Sequence, residues 1–247
     1  MAHMAEQSLS AQSRLHVYGI LRQMFSDAVE YHGVLRTSPV MKRDRPKVHR
    51  TLREYLSPEE SWKLLQASKG HYLGSAIWLA LLSGLRTSEI QALRWSSVDF
   101  GKGHILIREA YKRGSKRIEP YPKQKDWGYA PMPSALCDYL QSIAGQAVQA
   151  GFVAPAFGGG MLEQKKFHNG LKKLCREAGV AEISPHGLRH SCTEIWVEHG
   201  ANLEDLRRLL NHKTTETTRR YVHRSEGRLQ QIAGEIELPK LRLEVVK

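Results

Sequence analysis

The chain has 247 residues, 41% of them hydrophobic, which is enough to fill a sizeable core. Lys and Arg number 37 against 25 Asp and Glu, a surplus of +12 that attracts polyanions, nucleic acid or an anionic membrane surface, and makes such binding salt-sensitive. The apolar stretch Ala76-Ile77-Trp78-Leu79-Ala80-Leu81-Leu82 falls far short of the roughly 20 residues that span a bilayer, so membrane insertion is not expected.

Met1-Ala2-His3-Met4 lacks a signal-peptide core and reads as a cloning remnant, outside the fold. From about Ala11 to Tyr31 the residues Val17, Ile20, Leu21, Met24, Phe25 and Ala28 recur at helical spacing and predict one buried face. Lys42 to Arg50 is basic with little apolar content and reads as a linker, placing a helical piece at 5–41, the linker at 42–50 and a larger domain at 51–247.

Ser57-Pro58-Glu59-Glu60 predicts a capped helix start, with the helix running to about Ser68. Residues 71–83 are apolar on nearly every side, the pattern of a helix surrounded by protein, and Gly84 ends it just before Arg86. Val98–Phe100, His104–Arg108 and Tyr129–Met132 are β-prone pieces punctuated by glycines, which predicts a small antiparallel sheet decorated by Lys112, Arg113, Lys116, Lys123 and Lys125.

Helices follow at about 134–148, at Phe167, Leu171, Leu174, Cys175 and Ala178 on one face, then at about 186–199, 202–210 and 214–222. Leu241 to Val246 alternates like a strand over its first residues. The predicted fold class is mostly α with a small antiparallel β-sheet (α+β). Three cysteines without paired spacing point to a reducing compartment, with a cytoplasmic address expected.

Two planar guanidinium forks suit the nonbridging oxygens of a phosphodiester in its transition state better than an ammonium does, and Arg86 and Arg189 are the candidates. His186 precedes Arg189 by one helical turn, so both side chains reach one phosphate. Tyr221 is a candidate nucleophile; with an ordinary pKa of about 10 it needs cationic neighbours or a base as it attacks. His212 is a further donor to the phosphate.

His186 and His190 have metal-ligand spacing without a third carboxylate ligand, so no metal is expected. Gly158-Gly159-Gly160 is not followed by Gly-Lys-Ser/Thr and does not imply ATP.

In order, Arg86 in Gly-Leu-Arg-x-Ser-Glu, His186-x-x-Arg189, Leu210-Asn211-His212 and Tyr221 resemble the tyrosine recombinase, or phage integrase, family over about Leu52 to Arg224. Residues 5–41 resemble the tail of that family's helical core-binding domain. The resemblance implies a site-specific recombinase of double-stranded DNA in which Tyr221 forms a 3′-phosphotyrosyl link. It also implies that Arg86, Arg189 and His212 bind the phosphate, that His186 assists proton transfer, and that Lys123 protonates the leaving oxygen, with Lys125 as the alternative. Glu89 would brace Arg86.

No cofactor is implied, and the chain is expected to assemble as a homo-oligomer, a tetramer on paired sites, with its C-terminal tail docked in a neighbour or on itself. Type IB topoisomerase-like relaxation and a non-catalytic DNA-binding protein are the alternatives.

Overall fold

The computed structural model describes residues 9–48, 55–120, 128–147 and 151–210, and the chain clusters into two compact units, Met1–Arg53 and Glu54–Lys247.

In the first unit, helix α1 (Ala11–Glu30) is capped by Ser10, whose Oγ accepts from the Ser13 amide at 3.1 Å. The Tyr18 hydroxyl donates to the Met41 carbonyl at 3.3 Å, tying the helix to the segment after it. The periodicity placed Ile20 and Met24 on a buried face, yet they are 56% and 51% exposed and Tyr18 is the buried residue of the helix. Val17, Leu21, Phe25 and Ala28 are half-buried, and the described part of this unit holds no second α-helix, so within it the predicted face is covered only in part. Within the basic stretch, Lys42–Asp44 forms one 3₁₀ turn, with Asp44 accepting from the Met41 amide at 2.8 Å.

The second unit opens on helix α2 (Pro58–Ala67), whose capping box is complete. Ser57 Oγ accepts from the Glu60 amide at 3.2 Å, and Glu60 accepts from the Ser57 amide at 2.9 Å. Helix α3 (Gly74–Leu82) is buried along its whole length. It can be apolar all round because α2, α5 (Ser134–Ala147) and α7 (Pro185–Glu198) pack on it. Trp78 stacks on Tyr139 with ring centroids 4.3 Å apart and donates its indole N–H to the Leu65 carbonyl at 3.2 Å.

Helix α6 (Gln164–Glu177) buries Phe167, Leu171, Leu174 and Cys175, the face read from spacing, at about 1.5–3 kcal/mol for each large side chain. The short helices α4 (Thr87–Ala92) and α8 (Leu203–Leu209) complete the α-helices of the described residues, with one further 3₁₀ turn at Trp95–Ser97.

Strands β1 (Val98–Asp99), β2 (His104–Ile107) and β5 (Gly128–Pro131) form an antiparallel sheet in the order β1-β2-β5, with Ile105 opposite both Val98 and Ala130. A second two-stranded sheet pairs β3 (Glu109–Lys112) with β4 (Arg117–Pro120). The single sheet anticipated from sequence is therefore two. Residues 109–120 alternate apolar and charged side chains too irregularly to stand out against their high charge, and cross-strand pairing makes the hairpin.

Helix α7 is held at both ends of the α2–α3 pair. Its Ser191 Oγ accepts from the Leu56 amide at 2.9 Å, and its Trp196 indole donates to the Leu82 carbonyl at 3.0 Å, which fixes the position of every side chain that α7 carries.

Candidate active site

Helix α3 stops at Ser83, and Gly84 turns the chain at φ +62°, a conformation an L side chain adopts only with strain. A Cβ there would also sit 3.2 Å from Leu210 Cδ2 and 3.4 Å from Cys192 Sγ. This turn delivers Arg86 to the N-cap position of α4.

Glu89, one turn into α4 and 2% exposed, uses both carboxylate oxygens on Arg86. Oε2 accepts from the Arg86 amide at 2.7 Å, and Oε1 accepts from its Nη1 at 2.9 Å. The bracing that the sequence suggested for Glu89 is thus a physical contact, and it extends further. Glu89 Oε2 also lies 3.8 Å from Nη1 of Arg189.

Helix α7 begins with Ser184 as N-cap, accepting from the Gly187 amide at 3.1 Å, and Pro185 in its first turn. One helical turn then separates the exposed His186 from Arg189, which is 4% exposed. Arg189 Nη1 donates to the Gly84 carbonyl at 2.5 Å and its Nη2 donates to the Leu210 carbonyl. Arg86 Nη2 reaches the same Leu210 oxygen at 3.4 Å. One carbonyl at the end of α8 thus sits between the two guanidiniums, immediately before Asn211-His212 in the chain.

Arg86, His186 and Arg189 line one cavity of about 290 Å³, together with Thr87, Ser88, Gln91, Tyr111, Arg113 and Gln164. Residues separated by a hundred positions meet because α7 packs on α3. His212, Tyr221, Lys123 and its alternative Lys125 lie outside the described residues, as do the helix at 214–222 and the tail at 241–246.

Sequence reasoning missed Tyr111 and Arg113 as cavity residues, having counted Arg113 only among the charges on the sheet. It also missed the structural work of the Gly84 and Leu210 carbonyls, for which a side-chain pattern carries no signal. His186 and His190 stack edge to face with ring centroids 4.4 Å apart. Among the described residues no group of three or more His, Cys, Asp or Glu is placed to hold a metal ion. Nor is any described helix long and apolar enough to cross a membrane.

Behind Arg189 lies Cys192, fully buried beside Gly84. Burial pushes its thiol up from 9.0 to about 12, against the opposing pulls of the Arg189 charge and of hydrogen bonds to the Gly84 backbone and Trp196. The folded state therefore keeps a proton that the unfolded chain releases first. The corresponding stability is complete below about pH 9 and is lost as pH rises toward 12, and burial of Cys175 acts in the same direction. Urea unfolding between about pH 8 and pH 11 is expected to show a falling free energy whose slope is shallower in Cys192→Ala; equal slopes would contradict the assignment.

The profile of the phage integrase family matches residues 54–228. A tyrosine recombinase XerC of Xanthomonas campestris pv. campestris (strain B100) is 30% identical over 197 residues, covering 78% of this chain and 58% of that protein. A tyrosine recombinase XerD of Rhizobium meliloti (strain 1021) is 30% identical over 247 residues, covering 94% of this chain and 76% of that protein. The chain thus spans somewhat over half the length of the XerC relative and about three quarters of the XerD relative.

Among solved structures, the Tn1549 transposon integrase in complex with a circular intermediate DNA matches with a TM-score of 0.79 at 18% identity, over 95% of this chain and 82% of that one. A lambda integrase dimer bound to a COC′ core site matches with a TM-score of 0.64 at 18% identity, over 89% of this chain and 61% of that one. At such identities the likeness is one of fold. Because the family profile takes in well over half of its residues, this chain belongs to the phage integrase family.

Proposed function

We propose that the protein is a site-specific DNA recombinase that cleaves and rejoins strands of double-stranded DNA through a 3′-phosphotyrosyl intermediate. The observation that carries this reading is the convergence of Arg86, Arg189 and His186 on one cavity, with the Leu210 carbonyl held between the two guanidiniums. A phosphodiester placed there meets two preorganised forks, the arrangement that stabilises charge developing on nonbridging oxygens.

Leu210 leads directly into Asn211-His212 and on to Tyr221, so anchoring it starts the nucleophile's segment at the phosphate site. In the proposed step the Tyr221 oxygen bonds to phosphorus as the bond to the 5′ oxygen breaks. The phenolic proton leaves with help from His186, His212 donates to the phosphate, and Lys123 protonates the departing 5′ oxygen. A 5′-hydroxyl attacking the phosphotyrosine reverses the step, so no cofactor enters the balance.

The XerC and XerD relatives are recombinases, which favours strand exchange over simple relaxation of supercoils. The net charge of +12 supports duplex DNA as the partner. Residues 5–41 are proposed as the tail of a core-binding domain, 42–50 as the linker and 51–247 as the catalytic domain. Assembly as a tetramer on paired sites is part of the proposal. Trp62, 52% exposed, lines an apolar groove of about 750 Å³ with Ile195 and Trp196, a surface suited to the tail Leu241–Val246 of a second copy or of the same chain.

The test is a nicked suicide duplex carrying a site recovered by selection from random sequence. The protein is expected to give a DNA-linked band on a denaturing gel that Tyr221→Phe abolishes. A band of undiminished intensity with Tyr221→Phe would overturn the nucleophile assignment.

A further inference from the structure

The β3–β4 hairpin brings a third guanidinium to the cavity. Strand β3 packs against α4, the helix that starts at Arg86 and carries Glu89, so the hairpin is seated on the site's own scaffold. Alternation along β3 sends Tyr111 away from the face of Ala110 and Lys112. Lys112 is engaged on that other face by Glu119, at 2.8 Å, and Glu119 is held also by the Ser115 hydroxyl at 2.5 Å. Arg113, the first residue of the turn, follows Tyr111 into the cavity wall while remaining exposed at the rim.

Arg113 differs in position from the two inner arginines. Arg86 and Arg189 are braced by Glu89 and by the Leu210 carbonyl, and Arg189 also by the Gly84 carbonyl. Arg113 comes from a separate element, the turn after β3, and is exposed. Along one strand of a duplex the phosphates succeed one another about every 3.4 Å of axis, so a strand with one phosphate on Arg86 and Arg189 has further phosphates close by for another cation on the cavity wall.

Building on the recombinase reading, we infer that Arg113 is a DNA-positioning residue that holds the backbone phosphate next to the scissile one and so sets the strand's register in the cavity. Its guanidinium fork matches phosphate oxygens, and it comes from the β3–β4 hairpin, an element separate from those that carry Arg86 and Arg189.

The test compares the unsubstituted chain with Arg113→Ala and Arg113→Lys in two measurements. The first is the salt dependence of binding to a short random-sequence duplex, and the second is single-turnover adduct formation at saturating concentrations of the selected site. Arg113→Ala is expected to reduce the slope of log K against log salt by about 0.9, one phosphate's share, and to weaken binding about tenfold at physiological salt. Arg113→Lys keeps the slope. Adduct formation at saturation stays within about threefold of the unsubstituted rate in both.

An unchanged slope in Arg113→Ala, with an unchanged unfolding midpoint, would overturn the inference. So would a fall of about a hundredfold in the saturated rate, which would place Arg113 on the scissile phosphate itself. Failure of the unsubstituted chain to bind duplex DNA or to form a Tyr221-dependent adduct would instead bring down the recombinase reading, and this assignment with it.

Discussion

Replacing Arg189 by alanine is expected to slow covalent adduct formation at saturating DNA by about a thousandfold while changing duplex affinity little. The two effects separate because affinity is spread over many cationic side chains, whereas the transition state draws on the few donors aimed at the reacting phosphate. Arg189 is 4% exposed and fixed by the Gly84 and Leu210 carbonyls and by Glu89, so its fork is set before substrate arrives. Arg189→Lys is expected to recover little of the rate, since one ammonium cannot span two carbonyls and a phosphate at once.

Loss of the side chain also leaves the buried Gly84 carbonyl without this donor, at a cost of about 1–3 kcal/mol. Single-turnover kinetics therefore belong beside an unfolding curve. A rate within tenfold of the unsubstituted protein would contradict a role for Arg189 at the phosphate.

Glu89→Ala is the second large effect expected, and it falls on stability and rate together. Glu89 is 2% exposed, closes the capping box of α4 through the Arg86 amide, and lies against both guanidiniums. Removing it leaves two neighbouring cations without their shared counter-charge, costing about 3 kcal/mol, or roughly 6–12 °C in the midpoint for a unit of this size. Glu89→Gln keeps the volume and one acceptor and is expected to recover part of the loss.

The misplaced Arg86 lowers the saturated rate of adduct formation by about a hundredfold, a deficit that persists at temperatures where the variant is fully folded. A variant that is merely less stable, with an unchanged rate when folded, would show that Glu89 serves the fold alone.

How far these residues could be read in advance depended on what kind of signal each one carries. Ser57-Pro58 with Glu60, the all-apolar run ending at Gly84, and the spacing of Phe167, Leu171 and Leu174 are local signals, written in neighbouring residues, and the elements formed where those signals lie. Arg86, His186 and Arg189 stood out by their flanking residues, and the structure places all three on one cavity.

Other features were not legible. The β3–β4 hairpin depends on pairing across a turn that contains Lys116 at φ +53°, and its charge masked its alternation. The carbonyl oxygens of Gly84 and Leu210 belong to the backbone, which every residue shares, so no side-chain pattern marks them as arginine partners. On α1 the apolar spacing was real, but burial needs a covering partner, and Ile20 and Met24 have none among the described residues of their unit.

Bonding of the Tyr221 oxygen to phosphorus at the cavity of Arg86 and Arg189 can be read out by trapping the protein on a suicide duplex, digesting both components, and locating the nucleotide-bearing peptide by mass spectrometry. A nucleotide attached to Tyr221, lost in Arg189→Ala, is the expected result. Attachment at any other side chain, or an adduct that forms undiminished without Arg189, would contradict it.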